Sequence, residues 1–312
     1  MLVVKTPLVI FGFNRPDYIK ELLKSTDEIY FEKIYFILDG PRKERENECE
    51  LVRATAQAMR SFKRANFIEF VAAESNMGCK RRIFSALNSL FSREEELIVL
   101  EDDCIPSKDF FIFCESALEK YRNEEDVALV SGSNLLADLV KMHSTEGKSI
   151  FINCWGWAGW GSKTLPLLSE SIYVADVEEQ LRYSSTFNSL PRHIRTYWKQ
   201  VFKNAIMSNT VWDFYLQLSM FRQEKYSVFP RVNLVNNIGF DERATHTKAG
   251  VPKYVLNNIK KSGSYVTSNE KVDYTYEMYR RDSQVTKVLY KFSAFNLIKL
   301  IVGNIYRFAL KY

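Results

Sequence analysis

Four short apolar runs, separated by segments of helical pattern, constrain the fold of this chain more than any other feature. The runs cover residues 8–11, 34–38, 67–71 and 97–100, and the helical segments between them cover 17–24, 44–62 and 79–91. Strands that alternate with helices in this way form right-handed crossovers and a mostly parallel sheet. With 312 residues, 46% of them hydrophobic, the chain is long enough to bury such a sheet. We therefore predict an α/β fold with a Rossmann-like, mostly parallel sheet flanked by helices.

A charged or amide side chain follows each of the four apolar runs. Arg15 follows the first run, Asp39 the second, and Asn76 the third after a short linker, while 101–103 (Glu-Asp-Asp) directly follows the fourth. In open α/β sheets, ligands bind outside the carboxyl ends of the strands. We expect these four places to lie along one edge of the sheet. For Asp39, which precedes Gly-Pro, a plain turn is an equally good interpretation.

The three consecutive acids at 101–103 suit a divalent cation. Carboxylate oxygens are hard ligands that match Mg²⁺ or Mn²⁺, and such a cation can neutralise charge on a diphosphate. If the strand continues, Glu101 and Asp103 share one face and Asp102 points the opposite way. Clustered acids also occur in solvated turns, but their position after a buried strand favours a ligand site.

Two further segments carry candidate binding residues. Asn76 and Lys80 lie around a predicted helix start, where backbone N–H groups and cations can contact a diphosphate. Trp155, Trp157 and Trp160, interleaved with glycines, could stack on an acceptor sugar. Core packing is the usual alternative for tryptophans.

Asp213 is a candidate general base, because a carboxylate can take the proton of an acceptor hydroxyl as it attacks. The alternative is structural. Thr210 and Asp213 have the spacing of a capping box, and an acid at a helix N-terminus is favourable without catalysis.

The segment 99–111 resembles the acidic metal motif of N-acetylglucosaminyltransferase I and its bacterial relatives, which are inverting enzymes of the GT-A type. The resemblance extends to 13–15, 38–40, 212–213, 233–240 and 245–247, and so spans residues 6–250. It implies a GT-A fold and a nucleotide-sugar donor.

By the same resemblance, Asp103 would bind the metal directly, and Glu101 and Asp102 would contact the donor sugar or ribose. Arg15 and Asp39 would hold the nucleotide, and a carboxylate such as Asp39 can accept a hydrogen bond from a uracil N–H. His246 would supply a late-loop contact to metal or phosphate, although a lone histidine is commonly structural.

The end of the chain, from about residue 287, has the pattern of an amphipathic helix with cationic flanks. Lys299 and Arg307 interrupt its apolar run, which disfavours a transmembrane span. This tail has two interpretations of equal weight. It could dock on a membrane surface that carries a lipid-linked acceptor, or pack on the protein body or another subunit.

The composition excludes some classes of protein. A net charge of +5 beside 38 acids gives no footprint for nucleic acid. Five cysteines without a CxxC pair predict reduced thiols. Residues 1–5 lead into a strand without the pattern of a signal peptide, which predicts a cytoplasmic location, with the inner face of the cell membrane as a docking surface.

We therefore predict a metal-dependent inverting hexosyl- or N-acetylhexosaminyltransferase that moves a sugar from a UDP-sugar to a saccharide hydroxyl in bacterial polysaccharide synthesis. Residues 1–105 form the nucleotide-sugar-binding half, 106–262 the acceptor-binding and catalytic half of the same domain, and 263–312 the tail. One alternative is a sugar nucleotidyltransferase, which the lone glycine after the first strand disfavours. The other is a non-catalytic carbohydrate- or membrane-binding module.

Overall fold

The computed structural model describes residues 1–134, 145–168 and 176–240. His246 and the tail 263–312 lie outside these described residues, so the predictions for them stay predictions.

The described chain alternates strands and helices through its first half, as predicted. The strands are β1 (Leu2–Val4), β2 (Leu8–Gly12), β3 (Ile29–Leu38), β4 (Ala65–Ala72), β5 (Glu96–Glu101), β6 (Cys104–Pro106), β7 (Val127–Ser131), β8 (Glu146–Ser149), β9 (Trp157–Trp160), β10 (Tyr226–Pro230) and β11 (Val235–Asn237). The helices are α1 (Pro16–Ser25), α2 (Glu48–Arg60), α3 (Cys79–Phe91), α4 (Lys108–Tyr121), α5 (Gly161–Thr164), α6 (Val177–Arg182), α7 (Ser185–Asn188), α8 (Arg192–Ser208) and α9 (Asp213–Arg222). A 3₁₀ turn covers Leu165–Leu167.

Nine of the described strands form one mostly parallel sheet. β1 and β2 pair with successive parts of one edge of β3, and β4 pairs with the other edge. From β2 the order continues through β5, β9, β7 and β10 to β8. β9 is antiparallel to both of its neighbours, and β8 is antiparallel to β10, while the remaining pairings are parallel. The predicted α/β class and Rossmann-like, helix-flanked sheet are confirmed.

Both faces of this sheet are buried. Along β2, Val9 joins one hydrophobic cluster while Leu8 and Ile10 join another, and along β5 Val99 and Leu100 divide in the same way. A sheet covered on both faces needs apolar residues at every position of its central strands. This is why the sequence shows continuous apolar runs rather than an alternating pattern.

The composition of β9 and β6 explains why the sequence gives no sign of these two strands. β9 lies in the Trp/Gly-rich segment, where neither alternation nor a β-branched run marks a strand. β6 has three residues and pairs with β11 in a separate antiparallel sheet. β11 begins at Val235 and runs to Asn237.

Candidate functional site

The acidic motif lies at the carboxyl end of β5, near the middle of the large sheet. β5 ends at Glu101, and Asp102 and Asp103 form the turn that leads into β6. The chain turns here because β6 leaves the large sheet to pair with β11. The strand does not continue past Glu101, so the alternation that would point Asp102 away from Glu101 and Asp103 does not apply. Both aspartates are reached by the same arginine.

That arginine is Arg15, from the loop between β2 and α1. Its Nη2 lies 2.5 Å from Asp102 Oδ1, and its Nε donates to Asp102 Oδ2 at 3.2 Å. Its Nη1 donates to Asp103 Oδ2 at 3.1 Å. Two-pronged pairing of this kind fixes the plane of the guanidinium as well as its charge. Burial alone would lower the pKa of Arg15, but Asp102, Asp103 and Glu101 raise it above its ordinary value.

Burial and mutual repulsion perturb the pKa values of two of the acids, Glu101 and Asp102. Burial raises the pKa of Glu101, and the charges of Asp103, Asp102 and Asp213 raise it further, against the opposing effect of Arg15. Burial also raises the pKa of Asp102, although its pairing with Arg15 opposes the shift. Crowded carboxylates with raised pKa values are a common property of sites that bind a cation or act on protons.

Asp103 is enclosed by the segment that follows β11. Asn237 Nδ2 donates to Asp103 Oδ1 at 3.3 Å, and the Ile238 N–H donates to the Asp103 carbonyl at 2.9 Å. Gly239 lies so close that a Cβ at this position would be 2.2 Å from Asp103 Oδ2. Within this enclosure the Asp103 side chain keeps 18% of its surface exposed. A carboxylate oriented by neighbours and still open to solvent suits a metal ligand.

Asp213 approaches the same acids from a different part of the chain. It is half-buried as the first residue of α9, and it lies close enough to Glu101 for its charge to raise the pKa of that residue. The capping box considered for Thr210 does not form, because Trp212 is the N-cap and makes no side-chain cap bond. Trp212 instead donates from Nε1 to Glu101 Oε1 at 3.3 Å, which ties the start of α9 to the end of β5.

Asp39 organises the loop before α3. Its Oδ1 accepts from the backbone N–H groups of Gly40 and Met77, both at 2.9 Å. Its Oδ2 accepts from Asn76 Nδ2 at 3.0 Å and from the Gly78 N–H at 3.1 Å. These four donors fill the acceptor positions of the carboxylate. Asp39 and Asn76 are thus brought together as predicted, but a contact with a uracil N–H requires one of these bonds to be exchanged.

Lys80 is placed differently from its prediction. The residue is buried, its Nζ donates to Asn209 Oδ1 at 2.9 Å, and it lies 3.6 Å from the centroid of the Tyr215 ring. The ammonium group is therefore engaged with the connection between α8 and α9. This packing contradicts the predicted contact with a diphosphate.

The three tryptophans divide between core and site. Trp157 is 2% exposed and packs against Trp212, and Trp160 is 3% exposed. Neither can present its face to a sugar, so the prediction of acceptor stacking is wrong for both. β9 is an inner strand of the large sheet, which is why its side chains are buried. Trp155 is half-buried and packs edge-on against Phe240, and its acceptor role stays a prediction.

The described residues contain no group of three or more His, Cys, Asp or Glu side chains that could hold a metal ion by itself. Within the described residues Asp103 offers one oriented carboxylate, so a metal ion there would need further oxygens from a ligand such as a diphosphate. His246, the second predicted protein ligand, lies outside the described range. Among the helices that are described, none combines the length and apolar character that crossing a membrane requires.

Sequence reasoning missed two residues that shape the site. Tyr18 is buried in α1, where its spacing is that of an ordinary core residue. Asn237 lies in a polar stretch whose proximity to Asp103 depends on the pairing of β6 with β11. A short β6 gives no sequence signal, so this proximity could not be anticipated.

No protein-family model and no curated protein sequence matches the chain. Solved structures with which it shares similarity include the mannosyltransferase PcManGT from Pyrobaculum calidifontis in complex with GDP-Man and Mn²⁺, at 12% identity and a TM-score of 0.33, covering 69% of each chain. Another is glucosyl-3-phosphoglycerate synthase from Mycobacterium tuberculosis with Mn²⁺, UDP and phosphoglyceric acid, at 13% identity and a TM-score of 0.30, covering 50% of this chain and 56% of that one. A third is UDP-glucose pyrophosphorylase complexed with UDP-glucose, at 10% identity and a TM-score of 0.37, covering 74% of this chain and 90% of that one. Similarities this weak assign the chain to no family, and the geometry of the site itself carries the functional argument.

Proposed function

We propose that this chain is a metal-dependent glycosyltransferase of the GT-A type that takes its sugar from a nucleotide-sugar donor. The observation that carries the proposal is the convergence of Arg15, Glu101, Asp102, Asp103 and Asp213 at the carboxyl end of β2 and β5. This edge of an α/β sheet is where ligands bind. The acids repel one another, which favours a cation as the natural complement of the site.

Asp103 is the residue proposed to hold that cation, as Mn²⁺ or Mg²⁺, together with His246. A divalent cation in this position supplies charge neutralisation for the departing nucleoside diphosphate. Glu101 and Asp102 are proposed to contact the donor sugar or ribose, and Arg15 and Asp39 to hold the nucleotide. Asn76 supports this arrangement through its bond to Asp39.

Asp213 is the proposed general base of an inverting transfer. Its carboxylate takes the proton of an acceptor hydroxyl while that oxygen forms a bond to the anomeric carbon, and the bond from that carbon to the diphosphate breaks with its electron pair. Asp213 comes from α9 and the acidic turn from β5, so base and donor site belong to separate elements. Trp212 fixes their relative position through its bond to Glu101.

The loop after β2 disfavours the alternative of a sugar nucleotidyltransferase. β2 ends at Gly12 and α1 begins at Pro16, which leaves three residues, and Arg15 among them is turned to the acids. A triphosphate is commonly held by a glycine-rich loop whose backbone N–H groups cradle it. So short a loop offers few such groups.

Finer features of the proposal come from the sequence. The donor is proposed to be a UDP-hexose or UDP-N-acetylhexosamine, and the acceptor a saccharide or lipid-linked saccharide of bacterial surface polysaccharide. Contact with the membrane is proposed for residues 287–312, which would hold the enzyme at the inner face of the cell membrane.

A donor screen tests the proposal. UDP-, GDP- and CMP-sugars are each mixed with Mn²⁺ and the full chain, and donor hydrolysis and thermal stabilisation are measured. Asp103→Asn should abolish metal-dependent nucleotide binding, whereas Asp213→Asn should retain binding and lose transfer. Absence of nucleotide binding in the unaltered protein would refute the proposal, and release of pyrophosphate from a nucleoside triphosphate would favour the nucleotidyltransferase.

A further inference from the structure

Tyr18 connects α1 to both sides of the acidic turn. The residue is 6% exposed, and its hydroxyl donates to the Ile238 carbonyl at 3.1 Å, across 220 positions of sequence. Its ring faces the Arg15 guanidinium, whose Cζ lies 5.0 Å from the ring centroid. A cation over an aromatic face at this distance is attracted to it. One side chain thus contacts two groups that lie on either side of the acids.

Each of these two groups in turn holds Asp103. Arg15 Nη1 donates to Asp103 Oδ2 at 3.1 Å. The N–H of Ile238 donates to the Asp103 carbonyl at 2.9 Å, so the backbone of Ile238 is bonded to Tyr18 on one side and to Asp103 on the other. The carboxylate and the backbone of Asp103 are therefore both positioned through partners of Tyr18.

We propose that Tyr18 is a positioning residue for the cation at Asp103. Its hydroxyl fixes the segment that encloses Asp103, and its ring fixes the arginine that orients the carboxylate. Groups bonded directly to a metal ligand change metal affinity about 10- to 100-fold when they are altered. Tyr18 acts through two such groups, so we expect a loss at the lower end of this range. The inference rests on the proposed function, since it presumes that Asp103 binds a divalent cation.

The experiment uses two variants that separate the hydroxyl from the ring. Tyr18→Phe keeps the buried ring and removes the bond to Ile238, while Tyr18→Leu removes both contacts. Tyr30→Phe is the matched control, because it also removes one hydroxyl, which donates to Asn66 Oδ1 at 3.0 Å in an exposed position. Tyr30 lies near the start of β3, whereas the acids lie at the carboxyl ends of the strands. The readouts on the full chain are Mn²⁺ affinity in saturating UDP, measured by electron paramagnetic resonance, the exchange rate of the Ile238 amide, and the midpoint of thermal unfolding.

We expect Tyr18→Phe to weaken Mn²⁺ affinity about tenfold and to accelerate exchange of the Ile238 amide. Tyr18→Leu should weaken Mn²⁺ affinity further, because Arg15 loses its aromatic support as well. Tyr30→Phe should match the unaltered protein in both measurements. If Tyr18→Phe loses Mn²⁺ affinity while its unfolding midpoint is no lower than that of Tyr30→Phe, the loss reflects positioning and not general destabilisation.

Two results would count against the inference, and they are distinguishable. If the unaltered protein binds Mn²⁺ with UDP and Tyr18→Phe binds it equally well, the role of Tyr18 is refuted and the proposed function stands. If the unaltered protein binds neither Mn²⁺ nor UDP, the proposed function fails and the inference fails with it.

Discussion

Replacing Gly239 by alanine provides a direct test of how the site is built. The added Cβ would lie 2.2 Å from Asp103 Oδ2, 2.9 Å from its Cγ and 3.1 Å from its Cβ. A non-bonded carbon and oxygen need more than about 3 Å, so the two residues must separate by about 1 Å. The Cβ is fixed to the backbone and cannot rotate away.

Two movements can relieve this overlap, and each disturbs Asp103. The carboxylate can rotate, which breaks its bonds to Arg15 and Asn237, or the segment after β11 can lift, which breaks the bond from the Ile238 N–H. Overpacking of this kind costs about 1–3 kcal/mol of folding free energy. We expect the affinity for Mn²⁺ in saturating UDP to fall about 10- to 100-fold, because the carboxylate no longer has its oriented position.

The assay is calorimetric titration of Mn²⁺ into the UDP-saturated protein, together with thermal unfolding. Gly161→Ala is the control, because an added Cβ there is also crowded and meets the Phe91 carbonyl at 3.1 Å. Gly161 follows Trp160, which pairs with Glu96 at the start of β5, whereas Asp103 follows the end of that strand. It should change stability modestly and leave Mn²⁺ affinity unaltered. Unchanged Mn²⁺ affinity in Gly239→Ala would refute the argument that close packing positions Asp103.

Three further predictions concern the acids, the core and the α8–α9 connection. Because Glu101 and Asp102 have raised pKa values, the folded metal-free protein holds protons that the unfolded chain releases, so its stability should fall as pH rises from their ordinary pKa values of 4.5 and 3.8 through the raised ones. Melting curves recorded in chelator across this pH range test the prediction. A Glu101→Gln variant whose stability falls with pH at the same slope would contradict it. Trp157→Ala should lower the free energy of unfolding by about 3–5 kcal/mol, as truncation of a buried aromatic does, and denaturant titration measures the loss. Lys80→Met should leave UDP affinity in Mn²⁺ unchanged, since the ammonium is bonded to Asn209 instead of reaching the donor site, and a large loss of affinity in calorimetry would return Lys80 to that site.

The elements that sequence reasoning predicted well are those whose signal is local. Periodicity alone located α3 at its observed bounds, Cys79–Phe91, and the strand-end rule brought Arg15 to the acids that follow β5. Trp157 and Trp160 were misplaced because a tryptophan has the same sequence signature in a core strand as on a sugar platform. Which one applies depends on the neighbours of β9, and these are β5 and β7, far away in sequence.

Lys80 shows the same limit in a charged residue. A cation at a helix start favours a phosphate site, but the rotation of α3 about its axis decides which of the consecutive residues Lys80, Arg81 and Arg82 faces the ligand. That rotation is set by tertiary packing. In the structure, Tyr215 and Asn209 receive Lys80 instead.

The pairing of β6 with β11 has a consequence for the order in which the candidate site is assembled during synthesis. Asp103 and its partner Asn237 are 134 residues apart, so the acidic turn leaves the ribosome long before the residues that enclose it. Contacts of such long range form late, because closing a long loop costs entropy before any pairing offsets it. The strands that lead to Asp103 can therefore assemble early, while the proposed metal site is completed near the end of folding. A nascent chain that has emerged only through β10 should be compact and inactive.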